Sequence, residues 1–263
     1  MVSLTYAVHV TRRLIVAHIH LFKNAGTSIE ASLREAFGEH WASHDGTSSA
    51  QRLSQHDLEL FLDDHPSTQA VSSHQLRPPL SETDTYRYLP IVLLRHPIDR
   101  LRSAYEFERN QGPVSPSAKA AASADLAGWI DFHAGRGSHQ CANFQTLSLT
   151  AIRNNVNGAP LMRRPIEEHV ASATEFLESL GAVGIVERFV DSMDALQQWL
   201  RQEIEGFTWT GQSLNTGAST SSTLADRLDA VAAELGSSKY EELLAANQAD
   251  LALHTTYIDR LGT

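Results

Sequence analysis

The segment Leu14-Ile15-Val16-Ala17-His18-Ile19 is short, mostly apolar and bounded by polar residues. As a strand it needs cover on both faces, which selects an inner parallel strand. His20 to Gly26 then reads as a turn. Thr27 or Ser28 can cap the next segment, where Ile29, Leu33 and Phe37 recur at helical spacing. Strand, glycine-bearing loop and helix in direct succession are the repeating parts of a parallel α/β protein.

The rest of the chain supplies more such units. Gln69 to Ser73 reads as a short strand with His74 at its carboxyl end, and Pro90 to Leu94 as a better one. Arg95 and His96 follow, Pro97 stands where a first-turn proline is welcome, and Ile98, Leu101 and Tyr105 line a helical face. Ala182 to Val186 is a further strand. Helices are predicted over Leu53–Leu62, Asp125–His133, Ala142–Ile152 and Ile166–Leu180, and around Met193, Leu196 and Leu200. Two more cover Leu224–Leu235 and Lys239–Leu261; in the latter Leu244, Leu251 and Ile258 fall seven apart. Asp45–Gln51 reads as a loop, and Gln111–Ala124 and Gly211–Ser222 as mobile loops. With no clear linker and no internal repeat, residues 1–263 are expected to form one α/β domain with a helical C-terminal half.

Charge and composition narrow the partners. The 21 basic and 31 acidic residues leave a formal charge of −10, which argues against nucleic acid or an anionic membrane sheet. A small anionic ligand needs only a few well-placed donors and stays open. The single cysteine, Cys141, excludes an internal disulfide and a cysteine metal cluster. No apolar run reaches the roughly 18 residues of a spanning helix, and the opening residues lack a signal-peptide pattern. The expected location is the cytoplasm, without a membrane anchor.

The first loop has a definite physical capacity. A loop leaving a strand and entering a helix presents unpaired backbone N–H groups to an anion. Gly26 allows close approach, Thr27 and Ser28 add hydroxyls, and Lys23 adds a full charge. Lys23 is one of only three lysines in the chain. A routine helix cap with a surface lysine is the plain alternative. The loop is not a nucleoside-triphosphate P-loop, which places Lys-Ser/Thr directly after its second glycine; here the lysine precedes the glycine by three positions.

His20-Leu21-Phe22-Lys23-Asn24-Ala25-Gly26-Thr27-Ser28 resembles the 5′-phosphosulfate loop of sulfotransferases that use 3′-phosphoadenosine 5′-phosphosulfate (PAPS), in the branch resembling heparan-sulfate 2-O-sulfotransferase and its bacterial relatives. It departs from that pattern at Phe22, where proline is usual, and at Asn24. Val92 to Tyr105 resembles the family's segment for the 3′-phosphate, with Arg95 and Ser103 as the contacts. An arginine fork at a strand end suits that task. Ala142-Asn143-Phe144-Gln145-Thr146, Val186-Glu187-Arg188-Phe189 and the closing segment with Tyr240, Asp250, Leu251, Leu253 and Tyr257 are weaker echoes.

The resemblance implies a P-loop-NTPase-like three-layer fold of sulfotransferase type. It implies sulfuryl transfer from PAPS to a hydroxyl of a carbohydrate or small-molecule acceptor, leaving adenosine 3′,5′-bisphosphate (PAP). Lys23 and His74 would be catalytic; Lys23, Asn24, Ala25, Gly26, Thr27, Ser28, Arg95 and Ser103 would hold the cofactor. His74 follows a strand between the two cofactor segments, and a histidine suits proton removal near neutrality. His18 and His20, at spacing two without a convincing third ligand, are poor evidence for zinc, so no metal is expected. His20 would support the loop, by resemblance. Two other readings remain open: a kinase-like phosphotransferase, which would want the missing Gly-Lys-Ser/Thr order and a magnesium carboxylate, and a non-catalytic nucleotide-binding protein.

Overall fold

A computed structural model describes residues 12–47, 51–152, 164–209 and 222–261. Strand β1 (Arg13–Ile19) leads into helix α1 (Gly26–Phe37), then β2 (Trp41–Ser43), α2 (Gln55–Asp64), β3 (Ala70–Ser73) and β4 (Tyr86–Ile91). These strands form a wholly parallel sheet in the order β2-β3-β1-β4. Past Val92, the two-residue β5 (Leu93–Leu94) pairs in parallel with β6 (Gly184–Ile185). The chain is therefore an α/β protein with a parallel central sheet.

Period-two alternation along β1 divides the core. Val16 faces Ile29 and Leu33 of α1 together with Leu196 and Leu200 of a helix over Phe189–Glu203. Ile15, Ala17 and Ile19 face the opposite way. There they join Leu58 and Leu62 of α2, and Ala173, Phe176 and Leu177 of a helix over Ile166–Glu178. Both faces of the sheet are thus covered, as the apolar run requires. A further cluster forms beside the sheet where α3 (Pro97–Asn110) packs on α4 (Pro116–Ser123) and α5 (Leu126–Ala134) around the fully buried Trp129.

The remaining elements make the C-terminal half helical. They are α6 (Phe144–Leu149), α7 (Ile166–Glu178), α8 (Phe189–Glu203), α9 (Leu224–Leu235), α10 (Ser237–Ala246) and α11 (Gln248–Arg260). No described helix is long and apolar enough to cross a membrane.

Several boundaries depart from the sequence reading for identifiable reasons. The strand expected to begin at Pro90 begins at Tyr86, because Tyr86 and Tyr88 bury their rings and bond Asp63 and Glu59 of α2. Pro90 is tolerated because β4 is an edge of the four-stranded sheet. The segment 111–124 is not a structureless loop. Ser115 caps α4 by accepting from Ala118 N, and Ala118 and Ala121 are buried. The helix expected over 142–152 covers only Phe144–Leu149, preceded by Asn143 in the left-handed region (φ 47°). The single closing helix is two, divided at Asn247. Of the loop expected over 211–222, all but Ser222 lies outside the described residues.

Candidate functional site

Because β1, β3 and β4 run parallel, their carboxyl ends share one edge of the sheet. The segments that leave them open onto one cleft of about 1850 Å³. Of the residues singled out in the sequence, Lys23, Ala25, Gly26, Thr27, Ser28, His74, Arg95 and Ser103 line it. A cleft at this edge is where open parallel sheets bind ligands. Asn24 does not line the cleft. It is buried, and its Nδ2 donates to Leu93 O and to Gln145 Oε1, both at 2.7 Å.

The loop after β1 is held in an unusual backbone shape. Lys23 and Ala25 both lie in the left-handed region, at φ 66° and 57°, which costs roughly 1–2 kcal/mol for each non-glycine residue. Ala25 is the N-cap of α1, and no side chain caps that helix. Ser28 N donates back to Ala25 O at 3.0 Å, and the N–H groups of Gly26 and Thr27 ahead of it have no intrahelical acceptor. Alternating left-handed residues at a helix start make a concave array of N–H groups suited to an anion. Arg95 offsets the strain from the next strand end, donating from Nη1 to Lys23 O at 2.9 Å.

Gly26 has a further reason to be a glycine, beside the close approach the sequence indicates. Its φ is not positive. A Cβ there would lie 1.8 Å from His20 Nε2, so the glycine makes room for the His20 ring. That ring is buried, donates from Nδ1 to Glu30 Oε1 at 2.9 Å, and lies 3.7 Å, centroid to centroid, from His74. His18 also stacks on His20, at 5.1 Å, and hydrogen-bonds Ser72 Oγ. His18, His20 and Glu30 each bring a potential metal-ligand atom within 4.8 Å of the others. Glu30 is thus a neighbour that the sequence spacing of the two histidines did not reveal.

The charges around the cleft set protonation states. Burial, and then Arg95, push the Lys23 ammonium below its usual pKa. It lies 4.5 Å over the Phe107 ring, and among the described residues no carboxylate is within ion-pair distance of it. Phe22, at the usual proline position, packs edge-on against that same ring at 5.6 Å. Burial, and then His20, lower the His74 pKa, keeping the imidazole neutral and able to accept a proton. The His74 backbone N–H donates to Asp45 Oδ1 at 2.7 Å.

Arg95 is already engaged on both sides. Its Nη2 pairs with Asp99 at 2.8 Å, and the carboxylate also receives Arg227 Nε at 2.7 Å. Burial alone would raise the Asp99 pKa; bonds from Arg227 and Arg95 outweigh it and hold the carboxyl below the usual aspartate value. Two arginines share one carboxylate, so the cluster carries a net charge of +1. Ser103 lies on α3 and faces the cleft. Arg227, 128 residues from Asp99 in the chain, has no local sequence signal.

Gln145 joins the two strand ends. Its Oε1 accepts from Asn24 Nδ2 and from Arg95 N at 2.9 Å, and its Nε2 donates to Arg95 O at 2.8 Å. Asp250 in turn accepts from Gln145 N, Thr146 N and Thr146 Oγ1. Asn247 donates to Cys141 O and accepts from Asn143 N. These contacts explain both the break before α11 and why the Asn143-Gln145-Thr146 and Asp250 segments occur together. Each satisfies the other's buried polar groups.

No family model matches the chain. It is similar to an uncharacterized protein of Archaeoglobus fulgidus, 27% identical over 253 residues, which cover 94% of this chain and 97% of that protein.

Proposed function

We propose that the protein is a sulfotransferase that moves the sulfuryl group of PAPS to a hydroxyl of a carbohydrate or small molecule. The observation that carries this reading is the Lys23 loop. Two left-handed residues stand before an uncapped helix start, beside an ammonium that makes no ion pair among the described residues. A site built this way fits a phosphosulfate group, and the cleft exceeds the roughly 300–1,000 Å³ of an ordinary ligand pocket.

When bound, PAPS supplies a sulfur whose bond to the phosphate oxygen breaks as the acceptor oxygen bonds to it. The amides of Ala25, Gly26 and Thr27, with the Ser28 hydroxyl, hold the 5′-phosphate, and Lys23 stabilises negative charge on the departing oxygen. Arg95 and Ser103 fix the 3′-phosphate, so binding energy remote from the reaction orients the donor. His74, neutral at pH 7, takes the acceptor proton.

Calorimetry with two nucleotides tests the reading. Adenosine 3′,5′-bisphosphate should bind about tenfold or more tightly than adenosine 5′-monophosphate, the value of one charge-assisted contact. Ser103→Ala should narrow the gap. Equal affinities in the unmodified protein would refute the 3′-phosphate assignment.

A further inference from the structure

The arginines that line the cleft divide into two kinds. Arg95, Arg102 and Arg227 each meet a carboxylate, from Asp99, Glu106 or Glu234. Arg52 and Arg77 meet none among the described residues, which include every Asp and Glu of the chain. The two are neighbours through backbone pairing. Leu53 N donates to Gln75 O at 2.9 Å and Arg77 N donates to Leu53 O at 3.0 Å. Arg77 is only partly exposed and donates from Nη1 to His74 O at 2.8 Å, while its Nε is buried without a partner. Arg52 opens into the cleft.

We propose that Arg52 and Arg77 form a second anion-binding subsite beside His74, which takes one carboxylate, sulfate or phosphate group of the molecule that presents its hydroxyl to His74. The anion site stands on these contacts alone; its assignment to the acceptor rests on the sulfotransferase reading.

Two like charges in a partly desolvated wall repel unless an anion lies between them. Burial and Arg52 push Arg77 down to about 10. The neighbouring His139 is pushed down to about 4 by burial and by Arg52, Arg77, Arg100 and His133, with no acidic group offsetting them. Glutamines complete the lining through Gln51, Gln75 and Gln140. They donate to oxygen without adding charge, so the subsite suits a single compact anionic group. The cleft volume leaves space for it beside a nucleotide at the Lys23 end.

Equilibrium dialysis with radiolabelled sulfate, at constant ionic strength and with saturating adenosine 3′,5′-bisphosphate, tests the subsite. Sulfate should still bind, and glycolate should displace it while ethylene glycol does not. Arg52→Gln should weaken sulfate about tenfold or more, as for one charge-assisted contact. The bisphosphate affinity and the unfolding temperature should stay unchanged. Arg77→Lys, which keeps the charge but not the fork, should weaken it as well. Sulfate binding that the bisphosphate abolishes, or that neither substitution alters, would overturn the subsite. If the unmodified protein ignores the bisphosphate but binds sulfate in an Arg52-dependent way, the subsite stands and the nucleotide reading falls.

Discussion

An alanine at position 26 would set two effects of opposite sign against each other. Helix propensity favours alanine over glycine by up to about 1 kcal/mol, and the backbone of Gly26 is not in the left-handed region. On that ground alone the substitution stabilises. Against it stands the His20 ring, 1.8 Å from where the new Cβ would lie. The ring cannot move freely, because Glu30 holds Nδ1 at 2.9 Å and His74 lies 3.7 Å from it. Overpacking costs roughly 1–3 kcal/mol, and a displaced imidazole loses a hydrogen bond to a charged group worth about 1.5–3 kcal/mol. Gly26→Ala should therefore destabilise by about 1.5–5 kcal/mol, read as a fall of roughly 3–20 °C in Tm. Differential scanning calorimetry measures the fall, and a double-mutant cycle assigns it. In a His20→Ala background the same substitution should be nearly neutral, giving a coupling of more than about 1 kcal/mol. A Gly26→Ala protein as stable as the parent would show that the glycine does not make room for His20.

Gln145→Ala should lower stability by about 2–4 kcal/mol in urea unfolding, since it strips partners from buried Asn24 and from both backbone groups of Arg95. It should weaken nucleotide binding in parallel; loss of either property without the other would contradict its role as the joint between the strand ends. His74→Ala should leave folding and nucleotide affinity intact while transfer to an alcohol falls by roughly 10²–10⁴. Because burial and His20 lower the His74 pKa, the neutral base persists as pH falls through 6.5. The kcat/KM profile should stay flat there and decline only at lower pH; a break at or above 6.5, or near-normal turnover of the variant, would remove His74 from the proton transfer.

What the sequence disclosed depended on how local the cause was. The strands at Ile15, Val71 and Ile91 are legible because each must bury both faces, and their common edge follows from parallel pairing. Lys23, His74 and Arg95 are legible because each stands at a strand end. The contacts that lock them are not. Gln145 reaches Asn24 across 121 residues, and Arg227 reaches Asp99 across 128, distances over which periodicity carries no information. The break at Asn247 is hidden because Leu244, Leu251 and Ile258 preserve a helical repeat across it, while its cause is a tertiary bond to Cys141 O. Arg52 and Arg77 become conspicuous only when the surrounding carboxylates are located in space.

The bonds from Asn24 to Gln145 and from Gln145 to Asp250 also set a timetable for biosynthesis. At about 5–20 residues per second, the ribosome needs on the order of ten seconds or more after polymerising Asn24 before it adds Asp250. Through that interval β1 and its loop exist without the carboxylate that anchors their latch. The nascent chain can assemble its sheet early, but the cleft acquires its rigid floor only after α11 emerges. Stalling translation ahead of residue 250 should yield chains with strand structure and an unlocked loop, a class of intermediate in which maturation of the binding site is separated from folding of the core.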